Sequence, residues 1–138
     1  MSVLALDIGS VRIGVAAANE SRIATPLETL DARPRPAAVA RVRQLVDERG
    51  AATIVVGLPL ELDGTEGNAV RKIRRFVAAV RSAVPEVEFV EWDERLTSVA
   101  AESALIESGV RRAARKKVID QVAAVLILQG YLDSLSHE

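Results

Sequence analysis

The sequence predicts an α/β fold in one domain spanning residues 1–138. Its expected core is a mixed five-stranded sheet, three antiparallel leading strands and two further parallel ones, with helices on both faces. Three observations lead there. Two β-type runs open the chain with almost nothing between them. Strand-like and helix-like hydrophobic periods then alternate to the C-terminus. The 138-residue length suits a single core, because a domain of that size buries roughly 70% of its unfolded surface without staples.

Val3 to Ile8 and Val11 to Ala18 are the opening strands, and Gly9-Ser10 between them reads as a hairpin turn. Ile23 to Leu30 is a third strand, with Pro26 confining that part to an edge or a bulge. Arg33-Pro34-Arg35-Pro36 breaks the pattern and leads into a helix marked by Val39, Val42 and Val46, which Gly50 ends. Thr53 to Val56 is a compact buried strand closed by Gly57 and Pro59. After the turn-rich Asp63-Gly64-Thr65-Glu66-Gly67, Val70, Ile73, Val77, Val80 and Val84 form one helical stripe that Pro85 stops. Val87 to Trp92 is the fifth strand, and Thr97 or Ser98 can cap a helix running towards Gly109. Beyond a basic linker, Val118 to Leu132 is almost wholly apolar and reads as a buried helix.

Composition narrows the chemistry. The chain has no cysteine, and its single histidine, His137, is next to last. A thiolate nucleophile, a structural zinc site and a serine triad with a placed histidine base are therefore excluded. Carboxylates, lysines or hydroxyls must carry any catalysis, and hard carboxylate oxygens select Mg²⁺ or Mn²⁺. No apolar run is long enough to cross a bilayer and no secretory pattern opens the chain, so the expected compartment is the cytoplasm, with no membrane partner. The net charge of −1 says little about nucleic acid, but the charges are segregated. Arg71, Lys72, Arg74 and Arg75 form one basic cluster and Arg111, Arg112, Arg115, Lys116 and Lys117 another, with Glu86, Glu88, Glu91, Asp93 and Glu94 between them. Such clusters are either solvated helix faces or phosphate-holding arms around an acidic site.

Three acids break the apolar pattern. Asp7 alternates with Val3 and Ala5 along its strand, so it emerges from an apolar face. It is either a turn aspartate bonded to backbone near Gly9 or a ligand, since an ionised carboxylate there needs a partner. Asp120 falls on the Ala123, Ala124 and Ile127 side of the last helix, where it is either a partner of the helix N-terminal dipole or a metal ligand. Trp92-Asp93-Glu94-Arg95-Leu96-Thr97 lies where the fifth strand ends. That is where α/β sheets bind ligands, although a charged capping segment would look the same.

These segments resemble a known family. Leu4-Ala5-Leu6-Asp7-Ile8-Gly9 with Gly14-Val15-Ala16 is similar to the opening of the YqgF/RuvX proteins. Val55-Val56-Gly57-Leu58-Pro59-Leu60 with Asp63-Gly64-Thr65-Glu66-Gly67 resembles their central loop. Asp93-Glu94-Arg95-Leu96-Thr97 and Lys117-Val118-Ile119-Asp120 resemble their later motifs, and Ala123 to Gln129 continues the likeness. Thr29 to Arg49 matches in general character alone. The resemblance implies an RNase H-like fold related to Holliday-junction resolvases and a nuclease acting on pre-16S rRNA.

By position, the resemblance assigns the acidic triad to Asp7, Glu94 and Asp120, with Asp93 as a candidate fourth ligand, holding Mg²⁺ or Mn²⁺ in a two-metal site. The expected reaction is phosphodiester hydrolysis in structured nucleic acid, in 5′-end processing of the rRNA precursor during ribosome maturation. Asp63, Gly64, Thr65 and Gly67 would form a phosphate loop before a helix N-terminus, unless they are an ordinary Gly-rich turn. Arg71, Arg74, Arg75, Arg95, Arg111, Arg112, Arg115, Lys116 and Lys117 would hold the backbone, with little base stacking from so few aromatics. RNA, with a ribosomal particle as context, is the expected partner, and a monomer or weak dimer the expected state. A Holliday-junction resolvase-like DNA nuclease and a non-catalytic ribosome-assembly factor are the alternatives. An actin-type ATPase would need a second domain for which this length leaves no room.

Overall fold

The computed structural model describes residues 2–60, 63–93 and 112–135, the last span with side chains from Asp120 onward. Five strands form one sheet: β1 (Ser2–Ile8), β2 (Arg12–Ala18), β3 (Thr25–Asp31), β4 (Ala51–Leu58) and β5 (Glu88–Asp93). Their order is β3-β2-β1-β4-β5. β1–β2 and β2–β3 pair antiparallel, whereas β4 pairs parallel with both β1 and β5. This is the mixed sheet expected from the sequence. The carboxyl ends of β1, β4 and β5 consequently share one sheet edge, and β2 starts there.

Side-chain alternation divides the sheet into two unlike faces. Leu4 and Leu6 of β1, Ile13 and Val15 of β2, and Ile54 and Val56 of β4 point to one face. There they pack on α1 (Arg35–Arg49) through Val42 and Leu45 and on α2 (Asn68–Ala83) through Val70, Ile73, Phe76 and Val80. The expected stripe on α2 is shifted at one place: Phe76 is buried and Val77 half-buried. Proline at the start of α1 and Gly50 in the left-handed region (φ +59°) just past its end give the helix its limits, the Gly50 N–H bonding Val46 C=O.

The other face carries Ala5, Ala16, Ala18 and Val55 against Ala124, Ile127, Leu128 and Leu132 of α3 (Arg112–Leu135). α3 already begins at Arg112, so Arg112, Arg115, Lys116 and Lys117 belong to its backbone and are not a linker. Alanine, arginine and lysine are strong helix formers, which explains the extension. Burial in α3 is one-sided: Ala123, Ala124, Ile127 and Leu128 are buried, whereas Val122, Val125 and Leu126 keep partial exposure. Gln129 ties the helix to the sheet margin, accepting the Ala24 N–H at 3.0 Å and donating to Arg22 C=O at 3.3 Å.

The first hairpin closes differently from the expectation. Gly9 N–H donates to Arg12 C=O at 2.9 Å, so the turn centres on Ser10 and Val11, one place beyond Gly9-Ser10. A side chain at Gly9 would sit 2.8 Å from that carbonyl oxygen, which is why glycine suits the closing position. The helix expected from Thr97 or Ser98 towards Gly109 lies outside the described residues. Among the described residues no helix is long and apolar enough to cross a membrane.

Candidate active site

Asp7 is the last residue but one of β1 and shares the α3 face with Ala5. Its partner across the antiparallel pair is Gly14 of β2. Here the sequence makes its decisive local choice. A Cβ at Gly14 would lie 1.9 Å from the backbone oxygen of Asp120 and 3.0 Å from its Cα, so only a bare glycine lets α3 rest on the strand at this point. The glycine opposite Asp7 is thus also the seat of Asp120. Two acids that are 113 positions apart (120 − 7) converge on one face at the carboxyl edge of β1.

Arg12 completes this group. It lies two places before Gly14, hence on the same face, and its Nε donates to Asp120 Oδ2 at 2.8 Å. The side chains are 30% and 20% exposed, so the pair is open enough to exchange partners with solvent or ligand. Among the described residues no hydrogen bond engages Asp120 Oδ1. Asp120 is also eight residues into α3, counting from Arg112. The helix dipole acts within the first turn, so the expected N-terminal dipole partnership is replaced by a specific cation from β2. Arg12 escaped the sequence reading because its partner is distant in the chain; its alternation with Gly14 was the available signal.

The other predicted site residues are placed as follows. Asp93 ends β5, opposite Leu58 of β4. Its alternation with Phe89 and Glu91 puts it on the α1/α2 face, away from the face of Asp7 and Asp120. Glu94, Arg95 and Arg111 lie outside the described residues, as do the side chains of Arg112, Arg115, Lys116 and Lys117. Among the described residues no group of three or more acids, histidines or cysteines could hold a metal. The structure therefore brings together two of the three predicted ligands and does not describe the third. Their donor chemistry fits a hard divalent cation: two carboxylates on one face, an Asp120 oxygen without a hydrogen bond among the described residues, and no cysteine in the chain.

The Asp63–Gly67 loop is held by its own side chain. Asp63 Oδ1 accepts the Thr65 N–H at 2.9 Å and the Thr65 hydroxyl at 2.6 Å, and Gly64 takes φ +86°. This Asx-type turn occupies a donor that a phosphate would need. Of the basic cluster on α2, Arg74 is committed. It bonds Glu91 at 3.1 and 3.2 Å and also Glu66, and these partners, Glu91 foremost, raise its pKa above the ordinary guanidinium value. Arg71 bonds Asn68 of its own helix at 3.1 Å. Arg75 is exposed and lines a cleft between the hairpin tip, the start of α1 and α2.

Comparison with known proteins decides the kinship. The family model described as RuvX, Holliday junction resolvase, matches residues 1–134. The chain belongs to the RuvX family. A Chloroflexus aggregans protein named "Putative pre-16S rRNA nuclease" is 50% identical over 96% of this chain and 94% of its own length. A protein of the same name from Acetivibrio thermocellus is 41% identical over 97% of this chain and 96% of its own. Among solved structures, Thermus thermophilus RuvC in complex with a Holliday junction substrate superposes with a TM-score of 0.64 at 18% identity, covering 99% of this chain and 96% of that one. The fowlpox virus resolvase with its junction DNA gives 0.61 at 12% identity, covering 98% and 99%. At such identities these two structures establish the resolvase-type, RNase H-like fold of this RuvX chain. Both the family and the fold expected from the sequence are therefore correct.

Proposed function

We propose that this RuvX-family chain is a metal-dependent nuclease that hydrolyses phosphodiester bonds in structured RNA, acting in the cytoplasm on the 5′ end of the 16S rRNA precursor within a maturing ribosomal particle. The observation that carries the reading is the convergence of Asp7 and Asp120 at Gly14. RNA is favoured over a DNA junction because relatives at 41–50% identity bear the rRNA nuclease name, whereas the junction-bound neighbours share 18% or less.

Asp7 and Asp120 would hold Mg²⁺ or Mn²⁺, with Glu94 as the third ligand assigned by resemblance. Two bound cations of this kind supply a lowered pKa for the attacking water and charge neutralisation at the departing 3′ oxygen. The chain's own contribution is placement. β1 fixes Asp7, and the bare Gly14 fixes the approach of α3. Arg12 donates to one oxygen of Asp120, where it would compete with a cation, and the other oxygen has no hydrogen bond among the described residues. No protein nucleophile is needed, which agrees with a chain that has no cysteine and a single histidine next to last in the sequence.

The reading is tested by Mg²⁺- and Mn²⁺-dependent cleavage of a structured rRNA precursor and of a four-way DNA junction side by side, with Asp120→Asn as control. RNA cleavage that is lost in the variant supports the proposal. Cleavage of the junction alone, in a dimer, transfers it to the resolvase reading. Binding without cleavage of either substrate replaces it with a ribosome-assembly role.

A further inference from the structure

On the face opposite α3 lies a cleft of about 810 Å³ whose chemistry the carboxylate site does not use. Arg33 and Arg35, at the start of α1, rim it on one side, and Lys72 and Arg75 of α2 on the other. Among the described residues no aspartate or glutamate lines it. All four cations are exposed, and among the described residues none of them is in an ion pair. Arg22, Arg49, Arg71 and Arg81 are likewise outside ion pairs among the described residues, but none of them lines this cleft. Arg41 is paired with Glu28, Arg43 with Asp47 and Glu86, and Arg74 with Glu66 and Glu91. In a chain of net charge −1, four exposed cations around one opening, with no acid among the described lining residues, make a positive funnel.

The floor is different. Ile8, Pro34, Pro59, Ile73 and Phe76 give it an apolar character, and Ser10 adds a hydroxyl. Ile8, Gly9 and Ser10 of the lining directly follow Asp7, so the cleft and Asp7 meet at the same strand end. A duplex presents phosphates alone to such a surface and would leave the floor uncovered. An unpaired nucleotide can set its phosphates on the cationic rim while its sugar and base cover the floor. Phe76 is the lone aromatic in the lining and its ring is buried, so there is no platform for reading a base by stacking.

We infer that this cleft binds the unpaired strand flanking the scissile phosphate, without base specificity, and so directs cleavage to single-stranded ends or junctions beside a helix. The inference rests on the nuclease reading above but is tested by binding alone. Fluorescence anisotropy would follow a labelled oligouridine and a blunt RNA duplex of equal length across a salt series. The proteins are the wild type, Arg35→Ser/Lys72→Ser, and the charge-matched control Arg49→Ser/Arg81→Ser, each with its thermal unfolding midpoint measured. The cleft variant should lose about 1.4 from the slope of log affinity against log salt, at about 0.7 per single-strand phosphate contact. At 0.1 M salt this corresponds to roughly 20-fold weaker oligouridine binding, with a much smaller loss on the duplex. The control should bind both as the wild type does. An unchanged slope, equal losses on the two RNAs, or an equal loss in the control overturns the cleft assignment. Wild-type cleavage measured in parallel reports separately on the nuclease reading: absent cleavage with intact cleft dependence removes the first and keeps the second.

Discussion

The two faces of the sheet are built on opposite principles. Against α1 and α2 the strands present Leu4, Leu6, Ile13, Ile54 and Val56, large side chains that hold the helices off and fill the space between. Against α3, β1 and β2 present Ala5, Ala16, Ala18 and Gly14, with Val55, Val90 and Trp92 following on β4 and β5, so that the helix backbone settles on β2 itself at Gly14. The first face buries more hydrocarbon, and stability follows buried apolar area at about 25 cal/mol per Å². The second face gives up bulk for close backbone approach, and it is the one that places Asp7 and Asp120. Bulk tolerates small displacements; a helix resting on a bare glycine does not.

Mutations can break that contrast. Ile54→Ala, on the bulky face and fully buried, should cost about 2–5 kcal/mol in urea unfolding while folded molecules keep their cleavage rate. A proportional loss of activity would show that both faces control the site. Gly14→Ala should cost less stability, about 1–3 kcal/mol, yet abolish cleavage, because the added carbon must push α3 and Asp120 away from Asp7. Full activity in this variant would mean that the close approach is incidental.

Smaller effects sharpen the comparison. Arg12→Gln removes the cation bonded to Asp120, which should lower the Mn²⁺ concentration for half-maximal cleavage about 3- to 10-fold, equivalent to roughly 1 kcal/mol. A rise instead would mark Arg12 as essential for orienting the carboxylate. The smallest effect belongs to the bulky face's rim. Arg41→Gln removes the two-pronged, part-buried bond to Glu28, which should cost no more than about 1 kcal/mol in urea unfolding and leave the cleavage rate unchanged.

This difference between faces also sets what the sequence could reveal. Strands β1 to β5, α1 and α2 were legible because period and punctuation agree there, as with Gly50 after α1 and Pro85 after α2. Asp7 and Asp120 stood out because acids interrupt apolar faces. What the sequence concealed was pairing across distance. Arg12 meets Asp120 through 108 intervening steps of chain, and no local pattern encodes that contact. The start of α3 was hidden because a charged run shows no apolar period, although its alanines, arginines and lysines are strong helix formers. The α2 cluster looked uniform in sequence, but Glu66 and Glu91 commit Arg74, leaving Lys72 and Arg75 to join Arg33 and Arg35 around the cleft. Asp93 and Glu94 were adjacent candidates, and strand alternation puts Asp93 on the face opposite Asp7.

The most direct test of the account is single-turnover cleavage of the rRNA precursor by Asp7→Asn in saturating Mn²⁺, alongside its unfolding midpoint. The expected result is a loss of at least about 10³-fold, the several kcal/mol that removing a charged metal ligand costs, with folding intact. Cleavage within a few-fold of the wild type by the folded variant would contradict the assignment of the acid pair as the reactive centre.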